Sequence, residues 1–88
     1  MAKVLTALGD EHRQRIMLTF EKGERLTVGQ IAEVSTLSRP AVSHHLKILR
    51  EAGVLSAEKE GKEVYVKINR EVLLEALDNV RDYIRAEA

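Results

Sequence analysis

The segment from Ser38 to Gly53 constrains the fold more than any other part of this sequence. Ser38 is a favoured N-cap residue, and Pro40 follows it near the first helical position, where a missing backbone N–H costs little. Gly53 is of the residue type that most often ends a helix. Between these signals an apolar stripe recurs at intervals of four and three residues, formed by Val42, Leu46 and Leu49. This spacing predicts a helix that buries one side and exposes the other.

A shorter helix is predicted directly before this segment. Thr27 and Gln30 have the spacing of a capping box, in which each side chain bonds the backbone N–H of the other residue. The positions that follow give the helix an apolar side, formed by Val28, Ile31 and Ala32. Ser35 and Thr36 are suited to a turn. Two short helices joined by a tight turn predict a helix-turn-helix over about residues 28–51.

The hydrophobic period changes after the second helix. Residues 54–59 and 63–68 alternate between apolar and polar side chains, as strands with one buried face do. Gly61 lies between the two runs, which favours a β-hairpin. A hairpin in this place is the wing of a winged helix-turn-helix, and we predict it over about residues 54–68.

Helices are also predicted towards both ends of the chain. A short one covers about residues 2–8, and a second runs over about 11–22 after the N-cap Asp10. A last helix covers about residues 70–86 after the N-cap Asn69. The predicted fold is therefore mainly α with a small β-hairpin, arranged as a winged helix-turn-helix.

The chain has 88 residues, and we predict that residues 1–88 form a single domain. A domain of this size buries only a modest fraction of its surface, and pairing with a second copy is a common remedy. We therefore predict a homodimer through the first and last helices, with an interface formed by Val4, Leu5, Leu8, Leu73, Leu77, Val80 and Ile84. The alternative is that the stripe on the last helix covers the core of its own subunit.

Charge is unevenly distributed along the chain, although the formal net charge at pH 7 is zero. Residues 34–50 contain no Asp or Glu. The side of the second helix opposite its apolar stripe carries Arg39, Ser43, His44 and Lys47. Such a side suits double-stranded DNA, with Arg39 matched to guanine and Lys47 to a phosphate. The alternative is an ordinary exposed helix face without a partner.

The predicted wing offers a second contact with DNA. Lys59 and Lys62 lie close to its tip and can reach the backbone or the minor groove. Glu58, Glu60 and Glu63 lie among these lysines, and we expect them to weaken the attraction.

Three segments resemble the ArsR-type winged-helix repressors, a family of arsenic- and metal-responsive transcription regulators of bacteria and archaea. They are LGDEHRQRIMLTF (8–20), LTVGQIAEVSTLSRPAVSHHLKILREAGVL (26–55) and EGKEVYVKI (60–68). The resemblance implies a homodimer that binds an operator and usually represses, and it implies that the first and last helices form the dimer interface.

The resemblance also assigns roles to single positions. The family's DNA-facing positions are matched here by Arg39, Pro40, Ser43, His44 and Lys47. His45 matches a position that usually points inward, and we predict a packing role for it. The sequence departs from the family pattern in two places. Ser35 and Thr36 stand where glycine is frequent, and Arg39 and Pro40 stand where small polar residues are common, which points to an unusual operator.

The metal sites of this family cannot be matched on this chain. They use cysteines on the helix before the turn, or Asp and His on the last helix, whereas this chain has no cysteine and no histidine in the last helix. Glu75, Asp78 and Asp82 do share one helical face, which is either a site for a hard cation or a solvated face. Arg81 and Arg85 favour the solvated face. We predict no metal and no cofactor, and we leave open an unknown non-metal effector.

Several classes of protein are not indicated. The absence of cysteine excludes disulfides and thiol chemistry. No apolar run approaches membrane-spanning length, and the first residues lack the apolar core of a signal peptide, so we expect a cytoplasmic protein that does not enter a membrane. No nucleophile motif or glycine-rich phosphate loop is present, so we do not expect an enzyme. The alternative function is a winged-helix protein-protein interaction module that does not bind DNA.

Overall fold

The computed structural model describes residues 1–87, and within them five helices and three strands follow one another along the chain. The elements are α1 (Ala2–Leu8), α2 (Glu11–Thr19), β1 (Arg25–Thr27), α3 (Val28–Val34), α4 (Arg39–Glu51), β2 (Leu55–Glu60), β3 (Glu63–Ile68) and α5 (Arg70–Glu87). The helix-turn-helix is formed by α3 and α4, and the wing is the β2–β3 hairpin. No helix within residues 1–87 is both long enough and apolar enough to cross a membrane.

Three helices begin at the residues that the sequence predicts. Asp10 Oδ1 accepts the backbone N–H groups of His12 and Arg13 at 2.9 and 3.1 Å. Thr27 and Gln30 form both hydrogen bonds of a capping box, at 3.1 and 2.8 Å. Ser38 Oγ accepts the backbone N–H of Ala41 at 3.3 Å at the start of α4. Each such cap stabilises its helix by about 1 kcal/mol.

Helix α2 ends at Thr19, three residues before the predicted end at Lys22. Phe20 is already extended, with φ −79° and ψ 133°, and the chain then turns between Glu21 and Glu24. Gly23 has a φ of +75°, in the left-handed region that favours glycine. The helix stops early because the chain must reverse here to enter a strand.

That strand, β1, is absent from the sequence prediction, which contained only a hairpin. The sheet has three antiparallel strands in the order β1-β3-β2, and Leu26 of β1 lies opposite Val66 of β3. At three residues, β1 is too short to establish an alternating pattern. At the other end of the sheet, Gly61 has a φ of +61° in the two-residue turn between β2 and β3, as a type II′ turn requires.

The hydrophobic core is aliphatic and is centred on α4. It is formed by Val4, Ala7, Ile16, Ile31, Val42, Leu46, Leu49, Val54, Leu55, Val66 and Ala76. The predicted stripe of α4 is confirmed, since Val42 and Leu49 are 0% exposed and Leu46 is 3% exposed. Burial of each of these side chains contributes about 1.5–3 kcal/mol. The stripe fixes the rotation of α4 and leaves the opposite side at the surface.

The terminal helices differ from the expectation at one residue. Val4 is 6% exposed and belongs to the core of its own subunit, because α1 packs against α2 and α4. It has little surface left for a partner. Leu8 and Leu73 are partly buried against the same core. Leu5, Leu77 and Ile84 are exposed by 40%, 51% and 59%, so the stripe on α5 does not simply cover its own core.

Candidate nucleic-acid interface

The outward side of α4 carries all the residues that the sequence assigns to it. Arg39, Pro40, Ser43, His44 and Lys47 are exposed. The 13 residues of α4 make a rod about 20 Å long, which fits a major groove about 12 Å wide. No acidic residue lies in the first turn of α4, residues 39–42. This side therefore offers donors and positive charge to a duplex.

Arg39 also contacts the first helix of the motif. Its guanidinium Nη1 lies 3.8 Å from the point that a Cβ atom would occupy on Gly29. The guanidinium thus rests over the N-terminal turn of α3, at the junction of the two helices. Because the side chain remains exposed, it is free to leave this contact for a base edge.

The wing separates its charges between two faces. Side chains alternate along a strand, and directly opposed residues share a face. The register pairs Lys59 with Val64 and Ala57 with Val66, which puts Lys59 on the inner face, the face that carries the core residues. Glu58, opposite Tyr65, lies on the outer face.

Glu60 and Glu63 oppose one another on that same outer face. The expectation that the glutamates lie among the lysines therefore does not hold for Lys59, which lies on the opposite face, whereas Lys62 lies in the turn between Glu60 and Glu63. The inner face carries Lys59, whereas the outer face carries the three glutamates together with Arg25 and Lys67.

A groove between α4 and β2 continues the positive surface. It is lined by Lys47, Arg50, Glu51, Leu55 and Ala57. The ion pair between Lys47 Nζ and Glu51 Oε1 measures 4.0 Å and joins two side chains that are 73% and 67% exposed, so it is readily broken. Arg50 is exposed and adds a positively charged side chain that the predicted site omits.

The outer face of the wing holds a cluster around Arg25. The Arg25 Nη1 atom lies 2.6 Å from Glu58 Oε1, and Nη2 lies 2.5 Å from Glu60 Oε2. The guanidinium carbon is 4.2 Å from the ring centroid of Tyr65. The hydrogen bond with Glu58, followed by that with Glu60, raises the pKa of Arg25 above its ordinary value. This cluster could not be predicted from the sequence, because it depends on the strand β1.

The histidines occupy different environments. His44 is exposed, whereas His45 is partly buried, as expected, and its Nδ1 accepts a hydrogen bond from Arg13 Nη1 at 3.2 Å. A guanidinium can only donate, so the neutral ring carries its proton on Nε2. Burial is the main cause that lowers the pKa of His45. Arg13 also donates to the backbone carbonyl of Ala7 at 2.7 Å, and thus ties the end of α1 to α4.

The acidic face of α5 has the character of a solvated surface. Glu75, Asp78 and Asp82 are all exposed. Across residues 1–87, no group of three or more His, Cys, Asp or Glu side chains is arranged to hold a metal ion.

A helix-turn-helix whose second helix exposes a basic side next to a β wing defines the winged helix-turn-helix class of nucleic-acid-binding proteins. The family model described as "Bacterial regulatory protein, arsR family" matches residues 10–57, from the cap of α2 into β2. The chain belongs to this family of regulators. The predicted fold class and the family resemblance are both confirmed.

Individual relatives agree with this assignment. The transcriptional repressor SdpR of Bacillus subtilis is 37% identical over 84 residues, which cover 96% of this chain and 92% of SdpR. The arsenic resistance transcriptional regulator ArsR1 of Pseudomonas putida is 36% identical over 69 residues, covering 78% of this chain and 54% of ArsR1. An ArsR-like transcriptional regulator from Rhodococcus sp. RHA1 superposes with a TM-score of 0.87 at 27% identity, covering 98% of this chain and 77% of that one.

Proposed function

We propose that this protein is a sequence-specific DNA-binding transcriptional regulator that represses by occupying a near-palindromic operator as a homodimer. The observation that carries this proposal is the exposed side of α4 with Arg39, Ser43, His44 and Lys47, whose first turn contains no acidic residue. The family membership and the repressor SdpR support the direction of regulation. A regulator of this kind acts in the cytoplasm, where the chromosome lies.

Different residues of the surface have different roles in this proposal. Arg39 reads guanine through two hydrogen bonds, while Ser43 and His44 donate to bases or phosphates. Lys47 binds a phosphate, and Pro40 lets the start of α4 approach the backbone closely. The inner face and tip of the wing, with Lys59 and Lys62, bind the backbone of the flanking duplex.

The proposed dimer uses the uncovered apolar surface of α1 and α5. Leu5, Leu77 and Ile84 are exposed there, and partly buried Leu8, Leu73 and Val80 border them. Leu74 and Tyr83 add exposed apolar area that the predicted interface lacks. A two-fold pair would set two α4 helices about 34 Å apart, which matches one turn of duplex DNA.

The proposed regulator does not sense metals through thiolates. The relative ArsR1 is named as an arsenic resistance regulator. This chain, in contrast, has no cysteine to supply a thiolate ligand. The Asp and His ligands of the family's other metal site are not matched either, since the last helix has no histidine, and we propose that any effector is a non-metal ligand. Titration of zinc against the DNA complex checks this point, and release at stoichiometric zinc would contradict it.

Selection of bound duplexes from a random library, followed by sequencing, tests the proposal directly. We expect enrichment of a near-palindrome whose half-sites are about 10 base pairs apart. Binding of the enriched duplex should weaken steeply between about 50 and 200 mM salt, since phosphate contacts release counterions. No enrichment and no salt dependence would instead favour a protein-protein interaction module.

A further inference from the structure

The wing contains a charge arrangement that the assignment of DNA contacts leaves unexplained. Three glutamates stand within a few residues of the two lysines that are proposed to bind DNA. Glu60 lies directly opposite Glu63 in the register, and like charges in that relation destabilise a strand pair. Uncompensated carboxylates near the tip would also repel phosphates, because charges closer than about 10 Å are only partly screened at 0.1 M salt.

Arg25 forms ion pairs with two of these three carboxylates. Its two terminal nitrogens contact Glu58 and Glu60 separately, at 2.6 and 2.5 Å, so a single guanidinium bridges successive outer-face residues of β2. The Tyr65 ring lies against the same guanidinium, with its centroid 4.2 Å from the guanidinium carbon. These contacts span all three strands, since Arg25 is in β1, the glutamates are in β2 and Tyr65 is in β3.

We propose that Arg25 is a positioning residue of the DNA interface, which orients the carboxylates of Glu58 and Glu60 on the outer face of the wing and neutralises them so that Lys59 and Lys62 can approach the backbone. This proposal rests on the proposed function. Arg25 itself lies on the face opposite Lys59 and does not touch DNA. Its contribution to fold stability is small, because its ion pairs are exposed at the surface.

The test compares charge-matched variants in equilibrium binding to the selected operator, measured by fluorescence anisotropy. Arg25→Ala is expected to weaken binding about threefold to tenfold at about 50 mM salt, and less at higher salt. Arg15→Ala is the control, since Arg15 forms an exposed ion pair with Glu11 at 2.6 Å on α2, away from the wing. We expect it to change the affinity less than about twofold.

Removal of the carboxylates separates charge from structure. Arg25→Ala combined with Glu58→Gln and Glu60→Gln should restore binding to within about twofold of the wild type. The Glu58→Gln, Glu60→Gln variant with Arg25 intact should bind at least as tightly as the wild type. Equal effects of Arg25→Ala and Arg15→Ala would overturn the proposal, as would failure of the triple variant to recover or weaker binding by the double glutamine variant. If the wild type selects no duplex, the proposed function fails instead.

Discussion

Arg39 and Lys47 share the exposed side of α4 but have separate roles in the proposed complex. Arg39→Ala should flatten the sequence preference by about 1–3 kcal/mol at one base pair, because a two-pronged contact with guanine is lost. Lys47→Ala should weaken binding to all duplexes alike and lower the salt slope by about 0.9. Quantitative binding to a panel of single-base operator variants measures both effects.

Arg39→Lys is the control for this pair, since it keeps the charge but cannot form the two-pronged contact. It should behave like Arg39→Ala in preference and closer to the wild type in overall affinity. Profiles of the same shape for Arg39→Ala and Lys47→Ala would show that the roles are wrongly assigned.

We expect His45 to make the free energy of unfolding depend on pH in the mildly acidic range. Burial lowers its pKa below the ordinary 6.5, and the nearby Arg13, His12 and His44 act in the same direction against Asp10. The unfolded chain therefore takes up this proton at a higher pH than the folded protein does. The free energy of unfolding should consequently fall as the pH drops below about 6.5, and the loss should level off below the folded pKa.

Denaturant unfolding at pH 7.5 and 5.5 measures this effect, with His45→Gln as the comparison. Glutamine keeps an acceptor for Arg13 but does not titrate, so the fall in stability should be smaller in this variant. Asp10 does not interfere, because the backbone N–H of Arg13 lowers its pKa below 3.8 and its contribution is lost only in stronger acid. An identical pH dependence in both proteins would contradict the role of His45.

At the scale of elements, the anchoring of α4 by its apolar stripe is the feature that presents the basic side. Leu49 is 0% exposed, so Leu49→Ala leaves a cavity and should reduce the free energy of unfolding by about 2–5 kcal/mol. Leu18→Ala is the matched control, because Leu18 is 83% exposed and its removal should cost little. Chemical denaturation at one fixed protein concentration compares them. Equal costs would mean that α4 is held by something other than this stripe.

The elements that were predicted well are those that begin with a side-chain cap and continue with a regular spacing of apolar residues. Ser38 and the stripe from Val42 to Leu49 defined α4, and the capping box at Thr27 defined α3. The early end of α2 and the strand β1 were missed because a three-residue strand has no period and is stabilised by β3, far along the chain. The outer-face cluster of Arg25 was missed for the same reason.

At the scale of the whole molecule, the exposed apolar side of α5 determines the proposed assembly. Leu77→Asp and Ile84→Asp place charges where the two subunits would meet, so each should shift the protein towards the monomer in sedimentation experiments. The loss of pairing should also abolish the preference for the full palindrome over a half-site.

Leu18→Asp serves as the control for these variants, because it adds the same charge to an exposed apolar side chain on α2. It should leave the oligomeric state unchanged. A dimer that survives both α5 substitutions would place the interface elsewhere. The stripe on the last helix was enough to predict an interface there, which stays a prediction, but it could not show that Val4 packs in the core of its own subunit. Periodicity does not say which neighbour covers a helix face.

Because successive residues of β2 lie on alternate faces of the wing, its proposed attraction for DNA depends on the register of this strand. A shift of one residue in the pairing of β2 with β3 would send Lys59 outward and bring Glu58 and Glu60 inward, with the composition of charged groups unchanged. The inner face would then present carboxylates in place of Lys59, and these would repel the phosphates of DNA. Changes that shift this register are therefore more damaging to the proposed recognition than most substitutions.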